Sequence, residues 1–337
     1  GRAPSPGGRP AMRPAFSVIL LTTLLGAGQG LFLAMVTHQT YAFAGVLSPE
    51  GARGLYGPAA AVALALLAGG LVASFFHLGR PERAWRSAAM WRTSWLSREV
   101  IVLPAFMGTV FLYGAAHLTG VNPVLVRLPG GAAVDASMVA GVAGTVLAFA
   151  LFVCTGMIYA CLKFLREWHS PLTVANYILL GTASGFTAAA ALAAALAPGE
   201  ATFFAGWALV FTLLGALSRG ASLVRNARLR PVSTLQTAIG VRHPVIRPVS
   251  QGFTAGSFNT HEFFHGCAAS LVRSVKWIFL VTAFAVPAAL AAAHLAGGPP
   301  ALLAAAIAIQ MAGLMAERWF FFAEANHPQN LYYQAVA

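Results

Sequence analysis

The sequence predicts an all-α protein, a polytopic bundle of eight transmembrane helices, on three observations. Of its 337 residues, 58% are hydrophobic and only 9% are charged, against roughly 45–50% and about 25% in ordinary soluble domains. The apolar residues gather in eight runs of about 20 residues, the length that crosses a hydrocarbon core of roughly 30 Å. Lys and Arg lie almost entirely between those runs. Lipid must therefore be the solvent for most of the chain, which leaves no room for a soluble catalytic domain.

Residues 1–12 are rich in Gly, Pro and Arg and are expected to be disordered, with residues 13–337 forming a single eight-helix membrane domain. The first run, 14–37, is too long for a signal-peptide core and has no convincing small-residue cleavage site, so it reads as a retained helix. The second, 57–78, opens at Gly57-Pro58 and stops before Gly79-Arg80-Pro81. The third and fourth, 99–118 and 135–162, flank Pro129-Gly130-Gly131. The fifth, 172–197, ends at Pro198-Gly199, and the sixth covers 201–224. The seventh and eighth, 273–296 and 300–323, meet at Gly297-Gly298-Pro299-Pro300. Gly and Pro clusters of this kind break helices. Most connections are short, so consecutive helices should pack antiparallel. The exception is a long loop, 225–267, with Pro231, Pro244, Pro248 and four arginines, Arg228, Arg230, Arg242 and Arg247. Connections this long are usually functional, and this one reads as facing a partner. There is no convincing internal repeat.

The basic residues also set an orientation. Nineteen of the 21 Lys and Arg residues fall on one side, in the termini, the even-numbered connections and the helix ends beside them, leaving Arg53 and Arg127 opposite. By the positive-inside rule both termini and the long loop are cytoplasmic. The same distribution explains the net charge of +12 without nucleic acid, which would need a basic face on a soluble module. Cys154, Cys161 and Cys267 are odd in number and widely spaced, so they read as small buried hydrophobes rather than a disulfide framework or a metal site.

Ionisable groups at membrane depth are functional candidates by default. The densest group is Phe76-His77-Leu78-Gly79-Arg80-Pro81-Glu82-Arg83-Ala84-Trp85-Arg86-Ser87, running on to Ser97-Arg98-Glu99. His77 ends the second helix and Glu99 begins the third, so both face one boundary. A quinone head group reacting by two electrons must exchange two protons, and His and a half-buried Glu can supply them near neutrality. Arg83 and Ser87 would orient the head group by hydrogen bonds, and Gly79 would let the backbone approach. The plain alternative is a His capping one helix and a Glu in the first turn of the next, where the helix dipole favours it. Trp85, Trp91 and Trp95 fit an interfacial belt.

These residues carry a resemblance. The run from Phe76 through Ser87, with Leu96-Ser97-Arg98-Glu99, resembles the H-L-G-x-P-x-R-A-[FW]-x-S and L-S-x-E pattern of the membrane anchor family of dimethyl sulfoxide reductase. The likeness extends to the eight spans, to Gly26-Ala27-Gly28-Gln29-Gly30 and to Glu317-Arg318. Within the family, Met157-Ile158-Tyr159-Ala160, the segment from Lys163 to Pro171, and Ala325-Asn326-His327-Pro328-Gln329-Asn330 are similar to the anchors of cytoplasmic sulfite dehydrogenases. The resemblance implies an anchor subunit in the inner membrane of a bacterium with no haem or iron–sulfur cluster of its own. It would hold a molybdopterin catalytic subunit and an iron–sulfur subunit against the membrane lipid and exchange electrons with ubiquinone or menaquinone. It also implies that His77, Glu99, Gly79, Arg83 and Ser87 bind quinone. Cytoplasmic placement favours sulfite oxidation over the alternative, a quinol-oxidising dimethyl sulfoxide reductase anchor.

Other readings compete with this one. His261-Glu262-Phe263-Phe264-His265 is a formal H-E-x-x-H, which on a helix pairs two imidazoles for zinc, yet the third protein ligand a catalytic zinc needs is missing unless Glu317 supplies it. Haem would need paired helix-end histidines, of which His38 with His117 is one geometric choice among His38, His77, His117 and His294. A transporter would fit a bundle with few charges, although inverted repeats and broken midplane helices are not evident. His169 reads as a solvated interface residue, and Glu317 with Arg318 as an intramembrane ion pair or a border of the quinone pocket.

Overall fold

The computed structural model describes residues 16–48, 50–76, 78, 80–129, 133–230, 234, 236–237, 240–246 and 269–325. Its helices are α1 (Phe16–Phe43), α2 (Arg53–Phe75), α3 (Trp95–Thr119), α4 (Ala136–Ala160), α5 (Pro171–Leu196) and α6 (Ala201–Ala227). Helix α7 joins Ala269–Leu280 to Val286–Leu295 through a π turn over Val281–Ala285, and α8 is Ala301–Ala323. Eight helices among the described residues are long and apolar enough to cross a membrane. The expected fold class is therefore the observed one.

Local chemistry sets the ends. Ser94, Asp135 and Ser170 cap α3, α4 and α5 by accepting from Ser97, Met138 and Leu172 backbone N–H groups, which satisfies donors a helix start leaves free. Gly120 closes α3 in the left-handed region (φ 73°), which favours a residue without Cβ. Two features were not expected. A 3₁₀ segment, Pro81–Met90, lies between α2 and α3, and a two-stranded antiparallel hairpin, β1 (Val124–Arg127) with β2 (Ala133–Asp135), joins α3 to α4.

Helix α1 is the axis of the bundle, the most deeply buried of the eight spans among the described residues, and α5 follows. The two touch through glycine, since a Cβ on Gly30 would stand 2.1 Å from the Gly181 carbonyl oxygen and one on Gly185 only 1.9 Å from the Gly30 carbonyl carbon. Small residues are how helices approach in lipid, where apolar contact alone gives no preference for protein over solvent. The π turn of α7 is similarly fitted to α8. Gly313 lies against the Ala283 backbone, and Gln310 Nε2 donates to the Ala283 carbonyl at 3.3 Å, supplying a partner near the widened turn.

Several boundaries differ from expectation. Helix α1 runs on to Phe43, so His38 is inside it rather than at its end. Helix α2 ends at Phe75. Helix α3 begins at Trp95 because Ser94 caps it, which moves Glu99 from the first turn into the second. Cys154 is buried, but Cys161 is exposed just past the end of α4. Cys267 and the N-terminal stretch expected to be disordered lie outside the described residues.

Candidate functional site

The end of the bundle that carries the α2–α3 connection is its basic end. There Glu99 is buried, 8% exposed, and accepts a short hydrogen bond from Thr155 Oγ1 of α4. No other partner for the carboxyl is found among the described residues. One oxygen is thus fixed by the scaffold, and a carboxyl held in this way has the chemistry to hydrogen-bond a quinone carbonyl when it is protonated.

The remaining expected site residues divide. His77 and Gly79 lie outside the described residues. Arg83, on the 3₁₀ segment, is half exposed beside Glu82 at 3.9 Å, and Ser87 donates its hydroxyl to the Ala84 carbonyl of the same segment. Neither reaches Glu99 by a hydrogen bond or ion pair, so of the five only Glu99 is seen buried in the bundle.

Next to Glu99 the structure assembles groups that are far apart in the sequence. One turn beyond Thr155 on α4, Tyr159 stacks on Tyr177 of α5 with ring centroids 5.8 Å apart and planes 5° from parallel. The Arg318 guanidinium of α8 lies 3.9 Å from the Tyr177 ring centroid, within range of a cation–π attraction. Glu317 stands between two guanidiniums, 3.6 Å from Arg318 and 2.7 Å from Arg219 of α6. Arg219 in turn lies 3.6 Å from Glu324, just past α8. Glu317 and Arg318 are thus an ion pair as expected, but the closer partner is Arg219. That arginine has a signal in the sequence: it interrupts the apolar run 201–224, where a charge is expensive. Counting it with the basic residues of one side hides that signal.

The α4–α5 connection is fastened to this cluster, with Arg166 and His169 exposed as expected of a solvated interface segment. Trp168 Nε1 donates to the Phe321 carbonyl at 2.9 Å, His169 Nδ1 meets the Ala160 carbonyl at 2.6 Å, and Arg225 donates to the carbonyls of Arg166 and His169. Glu324, outside the spans, faces Arg219, Asn226, Glu317 and Glu167. Burial pushes its carboxyl above the ordinary range, against the pull of Arg219.

A second polar group occupies the opposite end. His38 is fully buried, with Nδ1 2.7 Å from the Tyr56 hydroxyl and Nε2 2.9 Å from Glu200. Both nitrogens are engaged, so the His38–His117 haem pair has no free lone pair on its first member. Beside this triad a cavity of about 220 Å³ is lined by Gln39, Arg53, Tyr56, His117, Asn122 and Asp135 among others. The H-E-x-x-H stretch lies outside the described residues, and Glu317, the carboxylate considered for its third ligand, is held between two arginines.

Comparison with known proteins adds to this geometry. Residues 12–255 match the sequence model of a family described as "DMSO reductase anchor subunit (DmsC)". The chain is also 56% identical over 326 residues to a sulfite dehydrogenase subunit of Allochromatium vinosum, covering 97% of this chain and 100% of that protein.

Proposed function

The chain belongs to the DMSO reductase anchor subunit family, and on that premise we propose that it is the quinone-reactive anchor of a sulfite-oxidising molybdopterin complex. As a multi-pass membrane anchor subunit it holds an iron–sulfur subunit and a molybdopterin catalytic subunit at the cytoplasmic face of a bacterial inner membrane, with both termini on that side. Electrons leave sulfite, cross the partner's clusters and reduce quinone beside the α2–α3 connection. Supporting the sulfite assignment are the likeness to a sulfite dehydrogenase subunit and the bias of Lys and Arg toward the end that carries Glu99.

The observation that carries the reading is the buried Glu99 carboxyl held by Thr155. An ionised carboxylate removed from water costs several kcal/mol unless paired, and Glu99 has no cation against it among the described residues. A carboxyl fixed by one oxygen and open at the other can hand a proton to a ligand oxygen that is gaining electrons. In the proposed site Glu99 exchanges the proton at one quinone carbonyl, His77 serves the other, Arg83 and Ser87 orient the ring, and Gly79 admits it.

Purification of the tagged chain from native membranes in mild detergent, followed by mass spectrometry, should recover the two soluble subunits and extractable quinone. With sulfite as donor, Glu99→Gln should slow reduction of a short-chain quinone analogue about 100-fold, the scale of a lost acid–base group. Ferricyanide takes electrons without protons, and its reduction should be unchanged. Recovery of the chain alone, or equal loss with both acceptors, would overturn the proposal.

A further inference from the structure

Glu99 is buried, so each proton it gives up must be replaced, and the surrounding helices hold a series of polar and aromatic groups leading away from it. Thr155 bonds Glu99. Tyr159 is one turn further along the same helix and stacks on Tyr177. Arg318 lies over Tyr177, Glu317 stands between Arg318 and Arg219, and Glu324 follows at 3.6 Å from Arg219. Glu99 is 8% exposed and Tyr159 half-buried, the side chains of Glu317 and Arg219 are deepest at 1% and 2%, and that of Glu324, at the outer end, is 16% exposed. Asn176 Oδ1, Ser218 Oγ and the Tyr177 hydroxyl itself are buried with no hydrogen-bond partner among the described residues. Buried polar atoms of this kind are ordinarily satisfied by internal water.

We propose that Glu324 is the entrance of a proton path that runs through Glu317, Tyr177 and Tyr159 to Glu99 and refills it during quinone reduction. This rests on the quinone reading given above. The chemistry divides between two kinds of residue. Arginine does not release its proton in proteins, so Arg219 and Arg318 carry none; they hold Glu317 in place and order the water around it. Carboxylates, phenols and water are the carriers. For each quinol formed, two electrons come from the partner's iron–sulfur clusters and two protons from the aqueous face. The path accounts for the one delivered at Glu99, whose O–H bond breaks as the O–H bond at the head-group carbonyl forms, and Glu324 then takes up the replacement.

Glu324 suits an entrance on environment as well as location. Arg219 and Asn226 of α6, Glu317 of α8 and Glu167 of the α4–α5 connection are the charged and polar groups that act on it. Burial outweighs Arg219 and raises its proton affinity, so it can load a proton from neutral water and still release it.

The test uses the whole complex in native membranes, with sulfite as donor and either a short-chain quinone analogue or ferricyanide as acceptor. Glu324→Gln should lower quinone reduction about tenfold at alkaline pH, where protons are scarce, and less at acidic pH, a modest share of what a positioned proton-transfer group contributes. Ferricyanide reduction should be unchanged, Glu324→Asp should restore much of the rate, and the slowing in D₂O should grow in Glu324→Gln. If wild-type membranes fail to reduce the quinone analogue, the quinone reading falls and takes this path with it. If they reduce it and Glu324→Gln has the wild-type rate and pH profile, or loses both acceptors equally, the path alone is overturned.

Discussion

Arg219 and Glu317, almost one hundred residues apart in sequence, meet at 2.7 Å with side chains 2% and 1% exposed, tying α6 to α8 inside the bundle. Removing one partner of such a pair leaves an uncompensated buried charge and typically costs about 3–5 kcal/mol, whereas replacing both with apolar residues of similar volume is often neutral. Arg219→Met and Glu317→Leu should each lower the thermal midpoint of the detergent-solubilised protein substantially, and the double variant should lie closer to wild type than their summed losses. Arg318 and Glu324 keep the cycle from closing fully, because each also loses a partner. Simple additivity would show that the pair contributes no coupling.

The fold is legible in the sequence because lipid restricts the choices: a run of about 20 apolar residues has few options other than a helix. What escapes depends on atoms rather than on hydropathy. Capping by Ser94 moves Glu99 one turn inward, and the hairpin β1–β2 is a three- to four-residue feature without a run long enough to signal it. Within the site, Glu99 stands out because a charge in an apolar run is conspicuous. Thr155, Tyr159 and Tyr177 look like ordinary helix residues, and only packing brings them together. Arg219 carries the same signal as Glu99, but a count of charge by side ignores depth and so passes over it.

The contact of α1 with α5 leaves no space for a methyl group at Gly30 or Gly185. Overpacking of a close-packed core costs roughly 1–3 kcal/mol, and here the obstructing atoms are backbone, which cannot rotate away. Gly185→Ala should therefore destabilise the bundle by at least that much, seen as a lower thermal midpoint and earlier aggregation in size-exclusion chromatography. Gly206→Ala, where nothing lies within 4 Å of the added carbon, is the control and should match wild type.

At the far end, Glu200 fixes the His38 ring by holding Nε2 at 2.9 Å while Nδ1 meets Tyr56 at 2.7 Å. The arrangement requires Nε2 to carry the proton if Glu200 is ionised, leaving Nδ1 to accept from the Tyr56 hydroxyl. Leaving a buried polar partner unsatisfied costs about 1–3 kcal/mol. Glu200→Ala and His38→Phe should each destabilise by about that amount, and the second substitution added to the first should cost little more. Thermal denaturation of the four proteins measures it, and independent, additive losses would mean that the three side chains do not act as a unit.

Glu324 gives the bundle a pH dependence of definite sign. Its carboxyl binds a proton more tightly in the folded protein than in the unfolded chain because burial raises its affinity. Above the ordinary Glu value of about 4.3, the unfolded chain releases this proton first, so the folded state binds more protons and stability falls as pH rises. The decline continues until the pH passes the raised value and then levels off. Wild-type thermal midpoints should therefore drop more steeply than those of Glu324→Gln as pH is raised from the acidic range toward neutrality. Gln cannot titrate, and it keeps an acceptor for Arg219 and Asn226, so the difference between the two curves isolates the proton. Parallel curves would mean that water or a neighbouring charge already compensates Glu324 in the folded state, and the proton path would lose its loading site.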